Sequence, residues 1–264
     1  TVIFLSPSQN NKRIFAIAMG VYTFVALIAL GSLSQHQFEL DDLAYLNDLD
    51  QIHQDPSAIF SADRRLPGRP VTDMALLLIQ MSFTDNPTAF HVALVFCHLI
   101  TTVLLTFTFL KTGLNQELSL IGGLFFLINL AHFRAIHWIS CLAYPLSLSW
   151  GCVGILAYIA YHETPRYKWY GISVCGFVLA ILSHPAAIVC PLFIAYFTWQ
   201  KKQPMRPILS IGIISLAVLI GLLKLFPQVP QAEHATAVLQ WHIIDLIQHG
   251  FWYLGRLWVS TFTV

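Results

Sequence analysis

Residues 89–110 read AFHVALVFCHLITTVLLTFTFL, without one Asp, Glu, Lys or Arg. As a helix this run rises about 33 Å at 1.5 Å per residue, enough to cross a hydrocarbon core of about 30 Å. Only a helix lets such a segment satisfy its own backbone away from water. The stretch is therefore read as a membrane span, and the rest of the chain is read outward from it.

The composition agrees. Hydrophobic residues make up 56% of the chain and charged residues 10%, with mean hydropathy +0.67, outside the range of soluble domains. Further apolar runs cover 14–33, 118–131, 142–161 and 207–226. Residues 170–199 would extend about 45 Å as one helix, too long for one crossing. His184-Pro185 interrupts them, and proline disfavours helix at the residue before it. They divide into 170–183 and 186–199.

Charge bias supports this division. Lys12-Arg13, Lys111, Arg166 with Lys168, and Lys201-Lys202 with Arg206 fall on one side when 170–199 is counted as two crossings. That side is expected to be cytoplasmic, together with the N-terminus. Although Lys12-Arg13 would also suit a signal peptide, 14–33 exceeds a signal core in length and more spans follow, so a retained helix is expected.

The expectation is an all-α polytopic membrane protein of about seven transmembrane helices, with 1–264 forming one membrane domain. An outer loop, 34–88, carries interfacial helices, including the short apolar run 71–83 ahead of Asn86-Pro87. Residues 238–264, with Trp241, Phe251, Trp252, Tyr253 and Trp258, read as an interfacial belt or the start of a further span. An opening Thr1 and an apolar closing Val264 are expected of a piece of a longer protein.

A formal net charge of +1 leaves no basic face for nucleic acid. The five cysteines are scattered through apolar segments without paired spacing and read as packing residues. Gly122-Gly123 and Gly151 with Gly154 would let helices approach closely. A transporter is disfavoured, since the spans carry no acidic residue.

Asp41-Asp42 carries the chemistry. The doublet stands about eight residues beyond the first span, with Tyr45 soon after and Arg69-Pro70 closing the polar loop. Two adjacent carboxylates hinder each other's ionisation, which suits a general base. The same doublet would also suit the positive N-terminal end of an interfacial helix. Arg64, Arg65, Arg69, Arg134 and Arg256 are the arginines available to hold an anion such as phosphate. His91 and His98 lie seven apart on one helical face, with His132 and His137 further along. A hydrogen-bonded pair of packing histidines explains them better than a transition-metal site, whose ligands on a helix sit three or four apart. Asp48-Leu49-Asp50 has the spacing of an Asp-x-Asp metal contact, which arises easily in an acidic loop.

Phe38-Glu39-Leu40-Asp41-Asp42-Leu43-Ala44-Tyr45 resembles the first outer loop of GT-C membrane glycosyltransferases. Arg69-Pro70, then Phe90-His91 and His98, is similar to the branch holding protein O-mannosyltransferases and their tetratricopeptide-bearing relatives. Residues 129–139, NLAHFRAIHWI, resemble that branch's Asn-Pro-x-His-x-Glu-Ala-Val-x-Trp-Ile run, and 179–185, LAILSHP, stand where its Leu-Ala-x-Leu-Ser-Lys-Glu run falls. The resemblance implies a GT-C-like arrangement and sugar transfer from a polyprenyl-phosphate donor on the periplasmic or lumenal face. It implies Asp41 as base and Asp42 as its helper or a metal contact. Tyr45, Arg69, His132, Arg134, His184 and Arg256 then bind substrate, and a divalent cation is a candidate cofactor.

The chain departs from the branch at Arg134, where the family places Glu, and at His184-Pro185, where it places Lys-Glu. Those replacements leave room for a non-catalytic GT-C-derived scaffold that packs against other membrane protein subunits. Membrane lipid is a partner in either case. The absence of a usable sequon, with Asn86-Pro87-Thr88 blocked by its proline, fits a bacterial inner membrane.

Overall fold

The computed structural model describes residues 9–32, 36–62, 64, 67–129 and 137–226. Helices and short 3-10 turns make up its regular structure, with no strand among the described residues. The helices are α1 (Gln9–Leu30), α2 (Leu40–Gln54), α3 (Pro70–Phe83), α4 (Pro87–Thr112), α5 (Gln116–Ile128), α6 (Ala143–Glu163), α7 (Tyr167–Ser183), α8 (Val189–Gln200) and α9 (Arg206–Leu225). The all-helical reading holds. Among the described residues, three helical stretches are long and apolar enough to cross a membrane: Pro87–Thr112, Ile139–Glu163 and Arg206–Leu225. The segments Ala18–Ile28, Pro70–Phe83, Gln116–Ile128, Tyr167–Ser183 and Pro185–Gln200 are apolar but shorter. Residues 238–264 lie outside the described residues.

Local sequence sets the breaks. Asn86 caps α4 by accepting the Thr88 N–H at 3.0 Å, with Pro87 in the first turn, where its missing N–H is harmless. The polar loop holds two helices, α2 and α3, joined through a 3-10 turn, Pro56–Phe60, capped by Asp55. The expected break at His184-Pro185 is present: α7 stops at Ser183 and a 3-10 turn, Pro185–Ile188, leads into α8. The Ser183 carbonyl accepts the Thr72 hydroxyl at 2.9 Å. That bond ties the start of α3 to the end of α7 and satisfies a carbonyl that helix continuation would have used.

Three apolar bodies result among the described residues, the smallest being Ala180, Ile181, Ala187, Leu222 and Phe226, where α7, the Pro185–Ile188 turn and α9 meet. The first gathers Tyr22, Tyr45, Leu49, Leu76, Phe90, Leu94, Leu127 and Ile139 from α1–α5 and the turn ahead of α6. The second gathers Ile155, Tyr158, Phe177, Ile194 and Ile208 from α6–α9. Hydroxyls stitch helices where water is scarce. Thr101 on α4 donates to the Pro145 carbonyl at 2.9 Å and lies 2.8 Å from the Ser149 hydroxyl on α6. Tyr22 donates to the Leu120 carbonyl at 2.8 Å, joining α1 to α5. At the far end, Lys111 and Glu163 pair at 3.5 Å, so α4 and α6 end on one side.

α6 and α7 pack closely against each other. A Cβ on Gly176 would fall 2.7 Å from the Gly154 nitrogen and 3.0 Å from the Trp150 carbonyl oxygen, both backbone atoms that cannot swing aside. Gly176→Ala is expected to cost about 1–3 kcal/mol by forcing these helices apart. Gly171→Ala on the same helix, with nothing within 4 Å, is expected to be neutral. Equal unfolding midpoints for the two variants in detergent would refute the close-approach account.

Candidate functional site

The described polar residues of loop 34–88 converge at one end of the bundle, where α2, α3, the turn Ile139–Leu142 and the α7–α8 break meet. Asp42 is fully buried there. Its Oδ2 accepts the Glu39 N–H at 3.4 Å, the return bond of a capping arrangement at the start of α2. Its Oδ1 accepts the Ile139 N–H at 3.1 Å, fastening α2 to the turn ahead of α6. Glu39 adds a second fastening, its Oε2 accepting the Trp138 indole N–H at 2.6 Å. Asp42 thus holds the loop together from inside, which sequence spacing did not reveal. Asp41 takes the second position of α2, and its side chain lies outside what the structure describes.

The carboxylate at the centre is Asp73, which the sequence reading passed over. It sits in the first turn of α3 with no exposed surface. Arg64 Nη2 contacts its Oδ2 at 2.7 Å and also donates to the Ile59 carbonyl at 3.0 Å. The Tyr45 hydroxyl donates to Asp73 Oδ1. Burial pushes the Asp73 carboxyl's proton affinity up, while Arg64, the Tyr45 hydroxyl and the more distant Arg69 pull it back. Burial likewise pushes the Tyr45 phenol well above its ordinary value, with the Asp73 charge adding to it. Tyr45 is therefore a neutral donor whose hydroxyl is already committed to Asp73.

Arg69 is different. Gly68 precedes it in the left-handed region, φ 82°, against the Phe226 ring, and this turn sets the chain direction into α3. Arg69 occupies the N-cap of α3 and is half-buried. Its guanidinium takes no hydrogen-bond or ion-pair partner among the described residues. Its charge nevertheless reaches Asp73, Tyr45, Cys141 and His184. His184 accepts the Ala186 N–H on Nδ1 at 3.2 Å, and its ring lies 4.7 Å from that of Tyr144. Burial, then the Arg69 charge, pushes the His184 imidazole from 6.5 down to about 4, so it is neutral at physiological pH. Among the described residues the result is a cation without a partner beside a neutral imidazole at a helix N-terminus, an arrangement suited to an anion.

No family model matches the chain, and no curated protein or solved structure matches it.

Tyr45, Arg69 and His184 thus belong to one neighbourhood, together with Asp42. His132, Arg134 and Arg256 lie outside the described residues, as does Arg65. His91 and His98 do not form a pair. His98 stacks on Phe126 with ring centroids 4.8 Å apart and its Nε2 lies 3.3 Å from the Leu127 carbonyl oxygen, whereas His91 gathers with His36 and His137. Asp50 accepts the Gln80 amide at 2.8 Å, bridging α2 to α3. Among the described residues, no three His, Cys, Asp or Glu side chains are placed to hold a metal ion. The signal for Asp73 was available: a lone carboxylate in the otherwise apolar run 71–83 requires a buried partner.

Proposed function

We propose that this chain is an integral membrane glycosyltransferase of GT-C type, moving a sugar from a polyprenyl-phosphate donor to an acceptor on the periplasmic or lumenal face of a bacterial inner membrane. The observation that carries the reading is Arg69, a half-buried guanidinium without a protein counter-ion among the described residues. A phosphate is the natural partner for its planar fork. The apolar helices around it would dissolve the donor's polyprenyl tail. In this reading Arg64 and Asp73 neutralise each other and hold the first turn of α3, so the Arg69 charge is left for the donor. Asp41 takes the acceptor's proton, and Asp42 fixes the start of the helix that carries it. Tyr144 and His184 lie next to the sugar or its phosphate.

A second reading has its own support. Asp42 spends both carboxylate oxygens on backbone N–H groups, and His184-Pro185 turns the chain where the resembling family has Lys-Glu. Both features suit a GT-C-derived scaffold that has kept the fold and packs against other membrane subunits without catalysis.

Native mass spectrometry of protein extracted in mild detergent separates the two. Bound polyprenyl phosphate, with sugar transfer abolished in a folded Asp41→Asn variant, is the expected result. A stoichiometric protein partner without that lipid would establish the scaffold instead, and unchanged transfer would remove Asp41 from the mechanism.

A further inference from the structure

Three imidazoles meet where the segment leading into α2 crosses the start of α4. His36 lies edge-on to His137, with ring centroids 4.6 Å apart, and 6.3 Å from His91. His91 is almost wholly buried, and both of its ring nitrogens lack a hydrogen-bond partner among the described residues. A buried polar ring left this way is costly and calls for an explanation beyond packing. The same junction holds the fastenings already described: Trp138 to Glu39, Ile139 to Asp42, and the Phe38 ring edge-on to Phe90 at 5.6 Å. The imidazoles therefore sit astride the joint that fixes α2 to the turn ahead of α6.

The titratable groups facing His91 come from two sides. His36 and Glu39 face it from the segment ahead of α2, and His137 from the segment ahead of α6. Its own helix next carries His98, two turns on and stacked on Phe126. His132 and Arg134, just before His137 in sequence, lie outside the described residues. Among the described residues, Glu39 is the carboxylate whose charge reaches both His91 and His137, and its Oε2 is already bonded to Trp138. A first proton on the cluster finds a counter-charge in Glu39. A second or third would stand a few ångströms from a like charge in a half-buried setting, where repulsion is weakly screened.

We propose that the His36–His91–His137 cluster is an acid-sensitive latch: neutral, it holds the outer loop closed on the bundle, and on protonation it releases α2 from the turn ahead of α6. The inference is independent of sugar transfer. The direction follows from the imidazoles' surroundings. Burial, and then His36, push the His137 imidazole below its ordinary value, against the pull of Glu39. A group whose folded value is depressed adds stability to the closed joint above its unfolded value, about 6.5, and loses it as pH falls through the folded one. Each proton taken up on opening favours the open joint by about tenfold per pH unit.

Hydrogen exchange of residues 137–142, corrected for the intrinsic effect of pH, tests this on the full chain in detergent. Between pH of about 7.5 and about 5, protection in the wild type is expected to fall about tenfold or more, while α9 keeps its protection. His36→Gln, at an exposed position, and His91→Leu are each expected to reduce that fall to about threefold or less. Should His91→Leu not fold, His36→Gln decides alone. Constant protection in the wild type, an equal fall in the folded variants, or a parallel loss in α9 would each overturn the latch.

Discussion

Replacing Arg64 with methionine is expected to cost about 3–5 kcal/mol of stability. Both side chains of the Arg64–Asp73 pair are almost completely buried, at 1% and 0% exposure, so removing the guanidinium strands a carboxylate that water cannot reach. Among the described residues the stranded group keeps the Tyr45 hydroxyl as its one hydrogen-bond donor, with the Arg69 charge further off. The pair's net contribution is a separate quantity, because burying both charges was itself expensive. The double variant Arg64→Met with Asp73→Leu should accordingly recover most of the loss, short of the cost of leaving the buried Tyr45 hydroxyl unpaired. Adding Tyr45→Phe should recover that remainder, about 1–3 kcal/mol. Denaturant titration in mixed micelles reads all three. A single variant within about 1 kcal/mol of wild type, below the range for a broken buried pair, would mean that Asp73 is protonated in the native state or reached by water.

Arg69→Gln should behave in the opposite way, sparing the fold and removing the ligand. Its guanidinium has no partner among the described residues, so stability should change by no more than about 0.5 kcal/mol. Loss of a charge-assisted hydrogen bond, about 1.5–3 kcal/mol, should weaken polyprenyl phosphate binding about 10–100-fold. Titration with a short-chain polyprenyl phosphate measures this directly. His184 supplies an independent readout of Arg69's position. Its imidazole is held neutral, down at about 4, chiefly by burial and secondly by the Arg69 charge. Neutral His184 adds stability above the unfolded value of about 6.5, and that stability is lost as pH falls through about 4. Without Arg69 the folded value should lie higher, so the loss should be smaller and be complete at a higher pH. Binding unchanged in Arg69→Gln, with the His184 shift present, would place Arg69 correctly and refute its role as phosphate contact.

The loop's polar residues show how far sequence reading reaches. Asp41-Asp42 drew attention to the loop because carboxylates near an apolar span are unusual, and Tyr45, Arg69 and His184 share a neighbourhood there. Spacing could not tell that Asp42 would turn inward to accept two backbone N–H groups, one of them 97 residues away. Nor could it name the partners of Asp73, since Arg64 meets it across a loop and Tyr45 meets it from another helix. His91 and His98 share a helical face seven residues apart. Their neighbours nevertheless separate them, because α4 faces the segment before α2 near one and α5 near the other.

The sequence by itself determined the helical character, the apolar run of α4, and the break at His184-Pro185. Those features depend on hydropathy and on proline's missing N–H, which act along the chain within a few residues. Tertiary structure alone decided which carboxylate is paired, which arginine has no partner among the described residues and which histidines meet. Such assignments depend on which groups lose water together, and only packing brings residues distant in sequence into the same dry volume.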